Sequence, residues 1–310
     1  MAMSPDPASS RPTPSPGPPA ALEGLPTGDP SPGGGAQRFN IGDALHDGMT
    51  AFRRAPLSFS LFSAGLTALQ VLLLPLQERL LVEPGASLQP SDAVLFLLGF
   101  SLSLGVSLWG SQGMVRGAWA ALQGQRPSLK SLLRWDGPGF FRLIRAWALL
   151  GLLLLIPLLA LLAALVIAVL LLAAPALGVG HQPALTLLAS VLVGAGGLTA
   201  LGGFGLLLTY LSVNQQFLAQ IALLEGRNGI ATLKRGRRLV DHQWLLLLLL
   251  LLLKGLLLVL GGLLAFITLG LGWILAWPLV SCITTAAYRQ LLQREPADPQ
   301  AGTRGLTPTG

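Results

Sequence analysis

Trp244, nine leucines in a row from Leu245 to Leu253, Lys254, Gly255 and then Leu256-Leu257-Leu258-Val259-Leu260 form the stretch that decides the fold class. A helix that is apolar on every side offers water no polar face, and about 20 such residues are what a helix needs to cross roughly 30 Å of hydrocarbon. The composition agrees, with 52% hydrophobic residues, 11% charged residues and a mean hydropathy of +0.67. Those values lie far from the balance of a water-soluble domain. The chain reads as an all-α, polytopic membrane protein.

Working outward, further apolar runs predict a bundle of about six transmembrane helices with short cytoplasmic amphipathic helices, the spans falling at 57–77, 93–114, 146–174, 185–210, 244–266 and 269–291. The third run is about 44 Å long at 1.5 Å per residue, enough to invite splitting into two spans. Charge placement argues for one span, tilted or kinked at Pro157. With six spans, Arg53 and Arg54 precede the first, and Arg116, Arg126, Lys130, Arg134, Arg142 and Arg145 lie between the second and third. Arg227, Lys234, Arg235, Arg237 and Arg238 lie between the fourth and fifth, and Arg289, Arg294 and Arg304 close the chain. All fall on one side, while the other holds Arg79 among Glu78, Glu83 and Asp92. The excess of Lys and Arg in cytoplasmic loops makes the basic side cytoplasmic, with both termini inside, in the cytoplasmic (inner) membrane.

The net charge of +7 and pI near 10.7 would point to nucleic acid in a soluble protein, but here no basic helix stands free of a span, so no nucleic-acid partner is expected. Cys282 is alone and lies in an apolar run, which excludes an intrachain disulfide and a cysteine metal site and leaves a small packing residue. Residues 1–37, with ten prolines between Pro5 and Pro32, read as a disordered cytoplasmic tail, 38–293 as the transmembrane domain and 294–310 as a second disordered tail. No charged start followed by an apolar core is present, so the first transmembrane helix is expected to direct insertion.

After the tail, Ile41, Ala44, Leu45, Gly48, Met49 and Phe52 recur at helical spacing behind Asn40, a suitable N-cap. This helix either lies on the bilayer and delivers Arg53 and Arg54 to headgroups, or is a packed connector. Small residues four apart, Gly99, Ser103, Ser107 and Ser111 in the second span and Ala195, Thr199 and Gly203 in the fourth, predict close helix packing. The glycines from 194 to 205 are no phosphate loop, because no strand precedes them and no Lys or Asp accompanies them. Tyr210, Ser212, Asn214, Gln215, Gln216 and Gln220 are expected to extend the fourth helix into water, or to line a vestibule. Ala121-Leu122-Gln123-Gly124-Gln125-Arg126 parallels Leu223-Leu224-Glu225-Gly226-Arg227-Asn228 about one hundred residues later, each followed by a basic amphipathic stretch and an apolar run. That faint repeat pairs spans two and three with spans four and five.

The Phe39-to-Pro56 lead-in, the Leu224-Glu225-Gly226 exit, the segment Ile230 to Val240 ahead of a long span, Trp277-Pro278-Leu279 and Tyr288 resemble bacterial glycerophosphoryl diester phosphodiesterase membrane-domain-like proteins. The resemblance covers 39–292, with Gly236 where family members often carry serine. It implies a polytopic helical membrane protein of mostly unassigned function. It does not bring phosphodiesterase catalysis, whose metal-binding carboxylates belong to a separate soluble domain.

The residues themselves show no catalytic constellation, so no enzyme activity and no cofactor is expected. His181 lies a membrane's width from His46 and His242, so the three histidines cannot share a metal. Lys254 is the candidate functional residue, a cation about 15 Å along its helix from Trp244 and near mid-bilayer. Its bland alternative is to snorkel or to meet a polar neighbour such as Gln70 or Gln112. Candidate contacts to anionic membrane lipids are Arg53, Arg54, Lys130, Arg134, Lys234, Arg235, Arg237 and Arg238. Two functions follow: a non-enzymatic membrane protein gripping anionic lipid or a partner with its basic helices, or a transporter of a small solute or lipid built around Lys254.

Overall fold

The structure, a computed structural model, describes residues 39–78, 90–173 and 183–294. The expected tails, apart from Arg294, and the loops with Arg79, Glu83 and His181 lie outside the described residues. In order the chain forms α1 (Ile41–Arg54), α2 (Pro56–Glu78), α3 (Pro90–Leu122), α4 (Leu129–Leu133) and α5 (Gly137–Ala173). It continues as α6 (Pro183–Asn214), α7 (Leu218–Leu224), α8 (Gly229–Val240), a 3-10 turn at Asp241–Gln243, α9 (Trp244–Ile267) and α10 (Leu271–Arg294). There is no strand among the described residues, and six stretches, built on α2, α3, α5, α6, α9 and α10, are long and apolar enough to cross a membrane.

Local chemistry sets several boundaries. Asn40 caps α1, its side-chain oxygen accepting from the Gly42 N–H at 2.9 Å. Pro56 opens α2, where its missing N–H leaves no helical bond unmade. Pro157 sits inside α5 without ending it, so the long third run is one helix of 37 residues. Leu269 (φ 52°) and Gly270 (φ 102°) turn α9 into α10, and the Gly270 N–H closes back on the Ala265 carbonyl at 2.7 Å.

The centre of the molecule is α10. Of its most apolar 18 residues 56% are buried, against 0% in α5. Ile283, Ala287, Tyr288 and Leu291 pack with Trp119, Phe217, Leu247 and Leu250 in one cluster. The helix that follows Asn40 is a packed connector: Ala44, Gly48 and Ala51 face α10, and a Cβ on Gly48 would lie 2.6 Å from the Ile283 Cα.

The two small-residue stripes separate. A Cβ on Gly99 would lie 2.7 Å from the Leu76 Cβ, and Gln70 donates to the Ser103 carbonyl and the Ser107 hydroxyl at 2.9 Å, so the stripe of α3 packs on α2 as expected. The stripe of α6 does not, because a Cβ on Gly203 meets nothing within 4 Å. The polar group after Tyr210 also departs from expectation. Instead of extending a wetted helix, the chain breaks at residues 215–217, and Asn214 and Gln220 are buried. Both repeat copies leave their helix through a left-handed glycine, Gly124 (φ 90°) and Gly226 (φ 68°), and both re-enter through a short helix, α4 or α8.

Candidate functional site

The break between α6 and α7 positions the mid-span cation. Gln215 donates to the Leu233 carbonyl of α8 at 3.3 Å, Phe217 packs on Tyr288 with ring centroids 5.9 Å apart, and Gly236 lets α8 approach so closely that a Cβ there would lie 2.7 Å from the Asn214 carbonyl oxygen. The residue between, Gln216, faces α9. Its Oε1 accepts from the Lys254 Nζ at 3.0 Å, and its Nε2 lies 3.5 Å from the Leu247 carbonyl. Lys254 is 7% exposed, and among the described residues no carboxylate pairs with it. Its partner is therefore neither Gln70, bound to α3, nor Gln112, which donates to the Asp136 carbonyl at 2.7 Å.

A second polar centre was not legible as one. Glu225 ends α7, and its side chain is 8% exposed. It accepts from the Tyr288 hydroxyl at 2.6 Å, from Arg227 Nε at 2.6 Å, and from Arg235 Nε at 3.1 Å to both oxygens. Three donors from α8, α10 and the intervening loop thus satisfy one nearly buried carboxylate, which is the condition for burying a charge without a large penalty. Arg235, expected at lipid, is turned inward onto this carboxylate, its side chain 12% exposed. The available signal was that Glu225 and Asp241 are the only acids in the basic stretch between the fourth and fifth runs, with Glu225 directly after an apolar helix.

The other basic candidates divide by role. Arg54 of α1 donates to the Ala121 carbonyl, and Arg289 of α10 to the Leu122 carbonyl at 2.7 Å, so two cations serve the carbonyl end of α3. Arg116 binds the Arg134 carbonyl and holds the loop after α4. Arg53, Lys130, Arg134, Lys234, Arg237 and Arg238 are exposed, Arg237 lying 3.9 Å from Asp241 one helical turn on. The contacts of Arg54, Arg289 and Arg116, with Arg294 reaching Gln243 at 3.4 Å, bring the ends of α1, α3, α8 and α10 to one end of the bundle.

Among the described residues no group of three or more His, Cys, Asp or Glu side chains could hold a metal ion, and Cys282 is free and buried. Chemically, the site offers an exposed basic surface over an interior that fixes its own charges. Compared with models of protein families, with curated proteins and with solved structures, the chain matches none.

Proposed function

We propose that this is a non-enzymatic, multi-pass protein of the cytoplasmic membrane, with both termini in the cytoplasm, whose basic helices hold anionic lipid headgroups. The observation that carries the reading is the division of α8. Gly229, Thr232, Gly236 and Val240 are buried against the bundle, while Lys234, Arg237 and Arg238 point outward from a helix that leads directly into the leucine span. A basic segment beside a span attracts anionic lipid by about 1 kcal/mol per Lys or Arg. Lys130 and Arg134 extend the surface on the other copy of the repeat. Lys254, bonded to Gln216 and enclosed, serves here as an anchor for the α6–α7 break.

The likeness to the glycerophosphoryl diester phosphodiesterase membrane-domain-like proteins belongs to the same proposal. Three of the segments that carry it, around Glu225, Arg235 and Tyr288, meet in the single hydrogen-bonded cluster at the base of α8.

The test is lipid selectivity of the full chain in bilayers, read with spin-labelled phosphatidylglycerol and phosphatidylcholine. Charge reversal at Lys234, Arg237 and Arg238 together is expected to remove the preference for phosphatidylglycerol, as is 1 M salt. Lys254→Leu is expected to leave it intact. An unchanged preference after charge reversal would overturn the proposal, and a liposome solute flux abolished by Lys254→Leu would favour a carrier instead.

A further inference from the structure

We propose that a groove between α5 and the start of α8 binds one anionic phospholipid, its phosphate on Arg145 and an acyl chain along Leu149 and Leu152. The inference rests on the lipid-surface reading above and adds to it a single defined site. The groove is shallow and open, with a volume of about 600 Å³, and is lined by Arg145, Ala148, Leu149 and Leu152 of α5 and by Asn228, Gly229 and Ile230 at the head of α8.

Its chemistry is ordered along the helix axis. Arg145 is the last charge before an uninterrupted apolar run that continues to Ala173. It is exposed, and among the described residues its guanidinium makes no hydrogen bond or ion pair. Leu149 and Leu152 lie four and seven residues further on, about 6 and 10 Å deeper by helical rise, and Ile230 closes the opposite wall at 59% exposure. A cation where the hydrocarbon begins, with an apolar channel leading inward from it, is complementary to a phosphodiester with an acyl chain attached. A free phosphate would leave the channel empty, and a zwitterionic lipid would bring its quaternary ammonium up beside the guanidinium and weaken the phosphate's attraction.

The two walls are built to stand at this spacing. Gly229 takes φ +44°, and a Cβ there would meet the Leu149 Cδ1 at 2.9 Å, so the chain crosses α5 tightly at the groove floor. Asn228, the N-cap of α8, makes no side-chain cap bond and is among the residues that line the groove. The α8 wall thus contributes a polar residue to a groove whose α5 wall carries the cation.

The full chain purified in detergent and titrated with phosphatidylglycerol or phosphatidylcholine, with bound lipids counted by native mass spectrometry, tests the site. The expected result is one phosphatidylglycerol per chain held about tenfold or more tighter than phosphatidylcholine, as a charge-assisted bond provides. Arg145→Glu should remove that lipid and Arg145→Lys should retain it. Ala148→Trp, which fills the groove and keeps the charge, should remove it as well. Equal retention of the two lipids, indifference to Arg145→Glu, or survival of the bound lipid in Ala148→Trp would each overturn the site. The triple reversal at Lys234, Arg237 and Arg238 separates the two proposals. It should lower the further, looser lipids and leave this one, whereas a site lost only in the triple variant would sink the groove and keep the surface.

Discussion

The hairpins α2–α3 and α5–α6 are built from similar sequence and held together in different ways. In α2–α3, Gly99 meets Leu76, Gly110 meets Leu66, Gly113 meets Phe62, and Gln70 crosses to two residues of α3. In α5–α6, a Cβ on Gly194, Gly196, Gly197, Gly202, Gly203 or Gly205 would meet nothing within 4 Å, and Leu198 and Leu206 are each 74% exposed. Small residues four apart permit backbones to approach but do not draw them together, since lipid tails are as apolar as leucine. What distinguishes α2–α3 is a large side chain opposite Gly99, Gly110 and Gly113, though not Gly105, and a polar bond across the gap.

The looser hairpin must therefore be fastened elsewhere, and the basic end is where this happens. Glu225 ties the chain leaving α6 and α7 to α8 and to the buried α10. Breaking that tie is expected to have the largest effect of any single change. Glu225→Ala leaves Arg235 and the Tyr288 hydroxyl without their carboxylate, and removing one partner of a buried pair costs about 3–5 kcal/mol. Thermal unfolding of the full chain in detergent reads this directly, and Tyr288→Phe should fall lower, at about 1–3 kcal/mol. A Glu225→Ala chain as stable as the parent would mean that α5–α6 is fastened by the apolar packing of Leu143, Ala146 and Leu150 on Leu218 and Ala222 of α7 and by the Gln216–Lys254 bond.

The contrast between the two stripes can be broken at a single residue type. Gly99→Leu forces a side chain into the Leu76 contact and should cost about 1–3 kcal/mol by overpacking. Gly203→Leu enters open space and should stay within about 0.5 kcal/mol, as surface exchanges do. The same unfolding measurement checks both. Equal losses would show that the bare face of α6 is covered in the assembled protein and that the monomer does not account for it.

The spans themselves were legible because length and apolar composition are properties of each segment alone. The six runs correspond to α2, α3, α5, α6, α9 and α10, and Asn40 caps α1 as its residue type predicts. The break after Asn214 was hidden because its cause is tertiary: Gly236 admits α8, Phe217 enters the core, and Gln216 finds Lys254. The same holds for Arg235, which looks like its neighbours Lys234 and Arg237 until Glu225 is placed beside it. Periodicity could locate the small-residue stripes, but only the facing helix decides which of them packs.

An effect smaller than the Gly99→Leu loss is expected at Gln70, and it isolates which part of the α2–α3 contact matters. Gln70 donates to the Ser103 carbonyl and to the Ser107 hydroxyl, and the Ser103 hydroxyl donates back to the Gln70 Oε1. Polar bonds between membrane helices average about 0.6 kcal/mol and reach about 1.7, because the separated helices find other partners. A double-mutant cycle with Gln70→Leu and Ser103→Ala should return a coupling in that range. Because the Ser103 carbonyl survives Ser103→Ala, the cycle counts only the hydroxyl's bond, and Ser107→Ala in a second cycle counts the other. A coupling of zero in both cycles, together with no loss in Gln70→Leu itself, which also removes the bond to the Ser103 carbonyl, would assign the whole contact to the fit of Leu76, Leu66 and Phe62 against their glycines, and shape alone would then separate the packed hairpin from the bare one.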